Sequence, residues 1–401
     1  MLDVVKRADA KPASGETDDA EIRVAALTGV PAFAAEKADW TRLAATSHLL
    51  MQHDWLATWQ KAFAADTEFV ILKATRGDKV LGYLPLLRYR SRWRRFPVTV
   101  LSLCANEHST WGSLLLAPGQ GDVVAQAFVR HLLDWRGWDV MQLPRLALVS
   151  TGSRHLLDGL LASGAGTMSR LEYQYVLQLP AQWEDYVRSL SRNFRSNLDS
   201  TRSKLAKMGT WAITVATERA EAQSAFEAFV DVDGRSWKKA AGETVASEPR
   251  ARDYYATLVD AFSARGRCWI VLLRLDGKVI SAAIFFEHNG TAYGLKSSSD
   301  AGIEAGTLSA GHLTVLRGFE EAHRRGLRRI HMLSGAATWA RYKGELEPVL
   351  SGHAFNGHAY GRMVEFADRI ATGLVKRPPA TVPGGRRRAR DATAHLGKDQ
   401  G

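Results

Sequence analysis

Between residues 189 and 209, SLSRNFRSNLDSTRSKLAKMG, the apolar positions Phe194, Leu198, Leu205 and Met208 recur at the three- and four-residue spacing of one helix face. The pattern predicts a helix with one buried face, ended by Gly209 as a left-handed stop. Arg195 and Arg202, seven apart, share a second face, while Ser191 and Arg192 sit at the amino end, where free backbone N–H groups favour an anion. A longer pattern is a repeat. DWLATWQKAF from Asp54 lies over DYYATLVDAF from Asp253, an offset of 199 residues, and FVILKATRGDKVLG from Phe69 lies over CWIVLLRLDGKVIS from Cys268 at the same offset. Each copy reads as an amphipathic helix, an apolar strand, a tight turn and a second strand. A constant offset across four elements predicts two copies of one α/β unit.

The second copy is the fuller one. RCWIVLLRL, KVISAAIFFEH and TAYGLKSSS are joined by Asp276-Gly277 and Asn289-Gly290, two-residue hairpin signals that predict a three-stranded antiparallel meander. A glycine-rich loop then leads into a helix with Leu313, Leu316, Phe319 and His323 at helical spacing. RRIHMLSG reads as a strand, ATWARYKGEL as a short helix or loop, and VLSGHAFNG as a last strand. In this order the chain resembles the GNAT acyltransferases, and within them a two-domain, CelD-like type linked to cellulose and exopolysaccharide biosynthesis and related to Fem-type transferases. The resemblance spans roughly residues 40–365 and is carried by LSRNFRSNL, FVDVDGRSWK, LDGKVISAAIFF, AGTLSAGHLTVLRGFEEAHRRG and ARYKGEL. It implies an α/β fold of two tandem GNAT-like domains, each a mixed, mainly antiparallel sheet flanked by helices. The division expected is a disordered lead-in (1–35), a non-catalytic N-terminal domain (36–178), a C-terminal acyltransferase domain (179–366), and a helix end with a disordered basic tail (367–401).

Composition narrows the setting. A chain of 401 residues exceeds one ordinary core, and 46% apolar with 24% charged residues is the usual globular balance. No apolar run approaches the roughly 20 residues that span a bilayer, and the polar amino terminus lacks a secretory core, so a cytoplasmic protein is expected. Cys104 and Cys268, the two cysteines, lie beside strand-like runs and outside any metal-ligand spacing; they read as buried thiols, with no metal. The net charge of +11 favours anionic partners: nucleotides, phosphorylated sugars, tRNA or an acidic membrane surface. Much of it falls in RYRSRWRR (88–95), the helix at 189–209 and GGRRRARD (384–391).

For chemistry, the resemblance implies a loop whose backbone amides hold the pyrophosphate of acetyl-CoA or another acyl-CoA donor. Gly302, Gly306 and Gly311 around Ser309 are placed for that. The usual Gln or Arg followed by two small residues is missing, which keeps an aminoacyl-tRNA donor open. No Ser-His-Asp or Cys-His pattern offers a nucleophile, so direct attack by an acceptor amine is the expected chemistry. Tyr342 and Lys343 are candidates for stabilising the oxyanion or leaving group, the Lys by resemblance to Fem-type transferases; Asp300, Glu304 and His312 are candidate bases. Trp237 and Lys238 end the helix that starts near Glu218, where the Trp either stacks on a sugar ring or plugs the core. Lys296 closes the meander, facing solvent or cleft. Arg192 and Arg195 are candidate contacts to a phosphate on a sugar-nucleotide or lipid-linked sugar acceptor. The first copy, with Gly119 and Gly121 before a helix, reads as a scaffold walling the acceptor cleft. The function expected is N-acyl transfer to an amino group of a polysaccharide or cell-envelope precursor. The rivals are a Fem-type aminoacyl-tRNA-dependent transferase and an inactive nucleotide-sensing scaffold. The basic segments would serve tRNA or peripheral membrane contact.

Overall fold

The structure, a computed structural model, describes residues 21–164, 166–304 and 308–373. Strands β1 (Arg23–Thr28), β2 (Glu68–Arg76), β3 (Lys79–Trp93), β4 (Phe96–Leu103), β5 (Leu115–Leu116), β6 (Val140–Ala147) and β7 (Gly166–Gln178) come from the first copy. The second supplies β8 (Trp211–Ala216), β9 (Cys268–Leu275), β10 (Lys278–His288), β11 (Thr291–Ser299), β12 (Arg329–His331) and β13 (Glu345–Phe355). All join one sheet in the order β1-β2-β3-β4-β6-β13-β7-β12-β11-β10-β9-β8, with β5 paired to β3. Taken from its two ends, the order matches β1 with β8, β2 with β9, β3 with β10, β4 with β11 and β6 with β12. The central strands are exchanged. β7, last of the first copy, pairs with β12, while β13, last of the second, pairs with β6. Their own ladder, from Glu345↔Val176 to Ala354↔Gly166, is the seam that fuses the two repeated α/β units into one mixed sheet flanked by helices.

The repeat is written into the hydrogen bonding. The β2/β3 and β9/β10 hairpins both turn in two residues, closing at Arg76↔Lys79 and Leu275↔Lys278. Each ladder has one bulge, at Leu81 and at Ile280, again 199 residues apart. Asp276-Gly277 and Asn289-Gly290 have positive φ at both positions, the backbone of the tight turns that match strand twist. Strand alternation sorts the side chains into cores: Phe69, Ile71, Cys268, Ile270 and Leu272 enter one core shared by both copies. Val70, Leu72 and Ala74 enter a second core, and Trp269, Val271 and Leu273 a third. Burial on both faces is why these strands read as unbroken apolar runs. The shared core lies under the repeated helices His53–Phe63 and Pro249–Ser263. There Trp55 meets its repeat equivalent Tyr254 edge to face at 6.2 Å.

Local expectations need four corrections. Residues 23–35, expected in the disordered lead-in, form β1 and the helix Val30–Ala35. The Arg-rich helix spans Arg192–Met208, but Met208 is exposed and the buried stripe is Phe194, Leu198, Thr201 and Leu205. Gly209 ends it in extended backbone, φ 164°, not a left-handed stop; a Cβ there would run into the Asp276 carboxylate, which accepts from the Thr210 N–H at 2.8 Å. The helix after Glu218 stops at Asp233, so Trp237 and Lys238 follow it separately. Residues 1–20 and the tail beyond 373 lie outside the described residues. Both cysteines are buried, and burial pushes their thiols up. Among the described residues no helix is long and apolar enough to cross a membrane.

Candidate active site

β11 and β12 run parallel and pair only over Thr291–Tyr293 with Arg329–His331; beyond Tyr293 they part. Where they part, β11 carries a bulge of its own: Lys296 faces Ile284 and Gly294 faces Phe285, so Leu295 has no partner on β10. The gap opens into a cleft of about 1160 Å³ lined by Gly294, Leu295 and Lys296.

One wall is the start of the helix Ala310–Arg324. Ser309, Gly311 and His312 line the cleft there, at the end of a helix whose first N–H groups have no partners within it. Tyr342, last residue of the short helix Ala337–Tyr342, is buried beside it with its hydroxyl 2.7 Å from His312 Nδ1. Arg341 Nη1 lies 3.5 Å from His312 Nε2. A guanidinium only donates, so Nε2 accepts; Nδ1 then carries the proton and donates to the Tyr342 oxygen, leaving the Tyr342 O–H to donate elsewhere. Burial, reinforced by Arg341, holds the His312 imidazolium down to about 4, so the ring is neutral at pH 7. Burial also holds the Tyr342 phenol protonated.

The opposite wall is cationic. Burial, with Lys238 adding, lowers Lys296 to about 8 against the pull of Asp233, Glu107 and Glu248, and its ammonium lies 5.3 Å from the centre of the Tyr255 ring. His108 spans Tyr255 and Glu248, with Nδ1 2.9 Å from the Tyr255 hydroxyl and Nε2 3.2 Å from the Glu248 carboxylate. Burial and Lys296 lower its pKa, and the two carboxylates Glu248 and Glu107 oppose them. At the lip Trp237 is 62% exposed, so it does not plug the core. The rim toward the first copy carries Thr110, Arg145 and, on β7, Gln174. The Gln174 amide donates to Thr110 O at 2.9 Å and Oγ1 at 3.1 Å, leaving its own buried oxygen unpartnered. Arg145 lines the cleft from backbone at φ 50°, a left-handed conformation unusual for an L-residue within a strand.

Ser309, Gly311, His312, Tyr342, Lys296 and Trp237 all line this one cleft. Lys343 does not: it leaves the short helix with φ 63°, and its exposed side chain is not part of the lining. Asp300 is buried in an ion pair with Arg235, has Lys278 at 3.4 Å, and accepts from the Gly302 N–H at 3.0 Å, so it ties structure together and does not serve the cleft. Glu304 ends the helix Ala301–Glu304, and Gly306 lies outside the described residues. Arg192 is exposed and Arg195 half-buried; neither lines the cleft, to which the same helix contributes Asn197. His108, Tyr255, Gln174 and Arg145 were not anticipated, whereas Lys238, singled out beside Trp237, does line the cleft. The polar run NEHST between an apolar strand and a helix of the first copy was a signal for His108 alone.

The sheet, its flanking helices and the cleft between parted strands give the chain a GNAT-like fold. Residues 192–344 match the family described as an acetyltransferase (GNAT) domain. No curated protein sequence matches the chain. Among solved structures, FemX is similar at 12% identity and TM-score 0.55, covering 82% of this chain and 98% of its own. A tandem GNAT protein from the clavulanic acid biosynthesis pathway is 13% identical with TM-score 0.49, covering 84% of this chain and 100% of its own. L-PGS from Bacillus licheniformis is 10% identical with TM-score 0.44, covering 80% and 93%. At this identity the FemX likeness concerns the fold alone.

Proposed function

We propose that the chain is an N-acyltransferase moving an acetyl or similar acyl group from an acyl-CoA to an amino group of a polysaccharide or cell-envelope precursor. The observation that carries this reading is the Arg341–His312–Tyr342 chain, which ends in a neutral hydroxyl beside an anion-favouring helix start. Ser309 and Gly311 suit a diphosphate there. When bound, the thioester supplies the activated carbonyl. The chain's own residues do the rest: Leu295, released from β10 by the bulge, offers backbone polarity to the carbonyl oxygen, and the Tyr342 O–H donates to the departing sulfur. On the opposite wall Lys296, whose lowered pKa of about 8 enlarges its share of neutral amine, accepts in that neutral form the proton of the incoming ammonium. The exposed Trp237 indole suits a sugar ring, and Arg145 suits a phosphate or carboxylate on the acceptor.

The test is calorimetric titration with acetyl-CoA of the full chain and of Gly311→Trp, followed by thiol release across a panel of amino sugars and their nucleotide diphosphates. Saturable binding that the variant loses supports the reading. No binding by folded protein overturns it. The missing Gln or Arg before two small residues favours one rival, an aminoacyl-tRNA donor, whose binding would fall steeply with salt because many phosphates release counterions.

A further inference from the structure

The helix Ala359–Gly373 turns its apolar side the wrong way for a soluble domain. Its buried positions are Gly361, Val364 and Asp368, whereas Met363, Phe366 and Ile370, one stripe at helical spacing, are exposed, Phe366 by 67%. Arg362 and Arg369 are exposed beside that stripe. The helix is held in this pose from below: Asp368 accepts from Trp93 Nε1 and Arg94 Nε, both at 3.0 Å, and the Tyr360 hydroxyl donates to Pro97 O at 2.7 Å. Those contacts bring it against the β3/β4 hairpin, where Arg90, Arg92, Arg94 and Arg95 are exposed.

We infer that this face docks on an anionic lipid bilayer, with Met363, Phe366 and Ile370 entering the interface and the surrounding arginines meeting lipid phosphates. An apolar stripe flanked by cations is the pattern of a helix lying in the plane of a membrane surface, and neighbouring basic residues add attraction to anionic headgroups. A second copy of the chain is the poorer occupant, because pairing this face with itself would bring two arginine clusters together. The inference stands apart from the acyl-transfer reading, since none of these residues lines the cleft.

Co-sedimentation of the full chain with vesicles decides it, using phosphatidylcholine alone or mixed with phosphatidylglycerol. Binding should require phosphatidylglycerol and weaken with salt. Phe366→Glu should reduce it about tenfold or more, from the loss of one buried aromatic side chain. The Arg90→Glu, Arg92→Glu pair, on a different element, should also weaken it and flatten the salt dependence. Both variants change exposed side chains, and a circular dichroism melt checks that each is folded. No binding above phosphatidylcholine, or undiminished binding by both variants, overturns the proposal. A dimer in the absence of lipid that Phe366→Glu dissolves overturns it in favour of self-association.

Discussion

The two copies part the same strands in the same way and then treat the gap differently. β4 and β6 pair only over Val100–Ser102 with Val140–Gln142, as β11 and β12 pair only over Thr291–Tyr293 with Arg329–His331. In the first copy the gap is filled by its own chain. Gly112 bridges Leu146 in parallel, its N–H donating to Arg145 O at 2.9 Å and its carbonyl accepting from the Ala147 N–H at 2.8 Å, with Trp111, Ser113 and Leu114 buried around it. In the second copy the gap stays open, and β11 adds the bulge at Leu295 that the β3/β4 ladder lacks. The plug also has a second use: Glu107, His108 and Thr110, just before it, line the other copy's cleft. The segment that fills one gap thus supplies part of the wall of the other.

If the open gap is the working one, its hydroxyl should matter most. Tyr342→Phe removes the proton donor while keeping the ring against Phe194 and Phe319. Thiol release should fall by about 10²–10³ with acetyl-CoA affinity nearly unchanged. An unaltered rate would take Tyr342 out of the chemistry. The next effect is on the plug. A Cβ at Gly112 would sit 2.6 Å from Pro144 O, so Gly112→Val should cost stability at the upper end of about 1–3 kcal/mol, read by chemical denaturation. A variant as stable as the parent would mean that the plug is loosely held.

Between the copies lies a histidine seam that answers to acid. His48 of the first copy stacks on Trp111 at 4.0 Å and meets His331 of the second edge-on at 5.0 Å. Burial, with Arg329 adding, pulls His331 down to about 3, while burial and His331 lower His48. Glu347 has an oxygen 3.8 Å from His331 Nε2 and is itself paired with Arg329 at 2.5 Å. Because the folded imidazole resists protonation, its contribution to stability is whole above pH 6.5 and is lost as pH falls toward 3; at pH 5 the loss from His331 alone is about 2 kcal/mol. Denaturation at pH 7 and pH 5 should show that loss in the parent and a smaller one in His331→Asn. Equal losses would place the acid sensitivity elsewhere.

What was legible in the sequence was local or repeated. The offset of 199 needed only two stretches of chain, and the Asp-Gly and Asn-Gly turns carry their own backbone requirement. The exchange of β7 and β13 was not legible. Both partners are far away in sequence, and an apolar strand does not specify which edge it will join. The site divides likewise. Ser309, Gly311, His312 and Tyr342 follow from the order of elements in one copy, whereas His108, Arg145 and Gln174 arrive from the other across the seam. Asp300 looked like a base until its partner, Arg235, was in place 65 residues away along the chain.

Lys343 is the sharpest test of reading one residue from its neighbour, and the effect expected there is the smallest. Tyr342 is buried in the cleft wall; one residue later the backbone turns left-handed at φ 63° and carries the Lys343 side chain into solvent. Lys343→Gly should relieve that conformation, worth about 1–2 kcal/mol, against the extra chain freedom of glycine, about 0.5–1 kcal/mol, for a net gain between zero and about 1.5 kcal/mol. Thiol release should stay within about twofold, as for a surface change away from the cleft. Melting curves and the thiol assay read the two numbers separately. Should Lys343→Gly instead fail as Tyr342→Phe is expected to, the lysine must swing back over the cleft when substrate binds, and the open gap would be closed by its own copy as the first copy's gap is closed by Gly112.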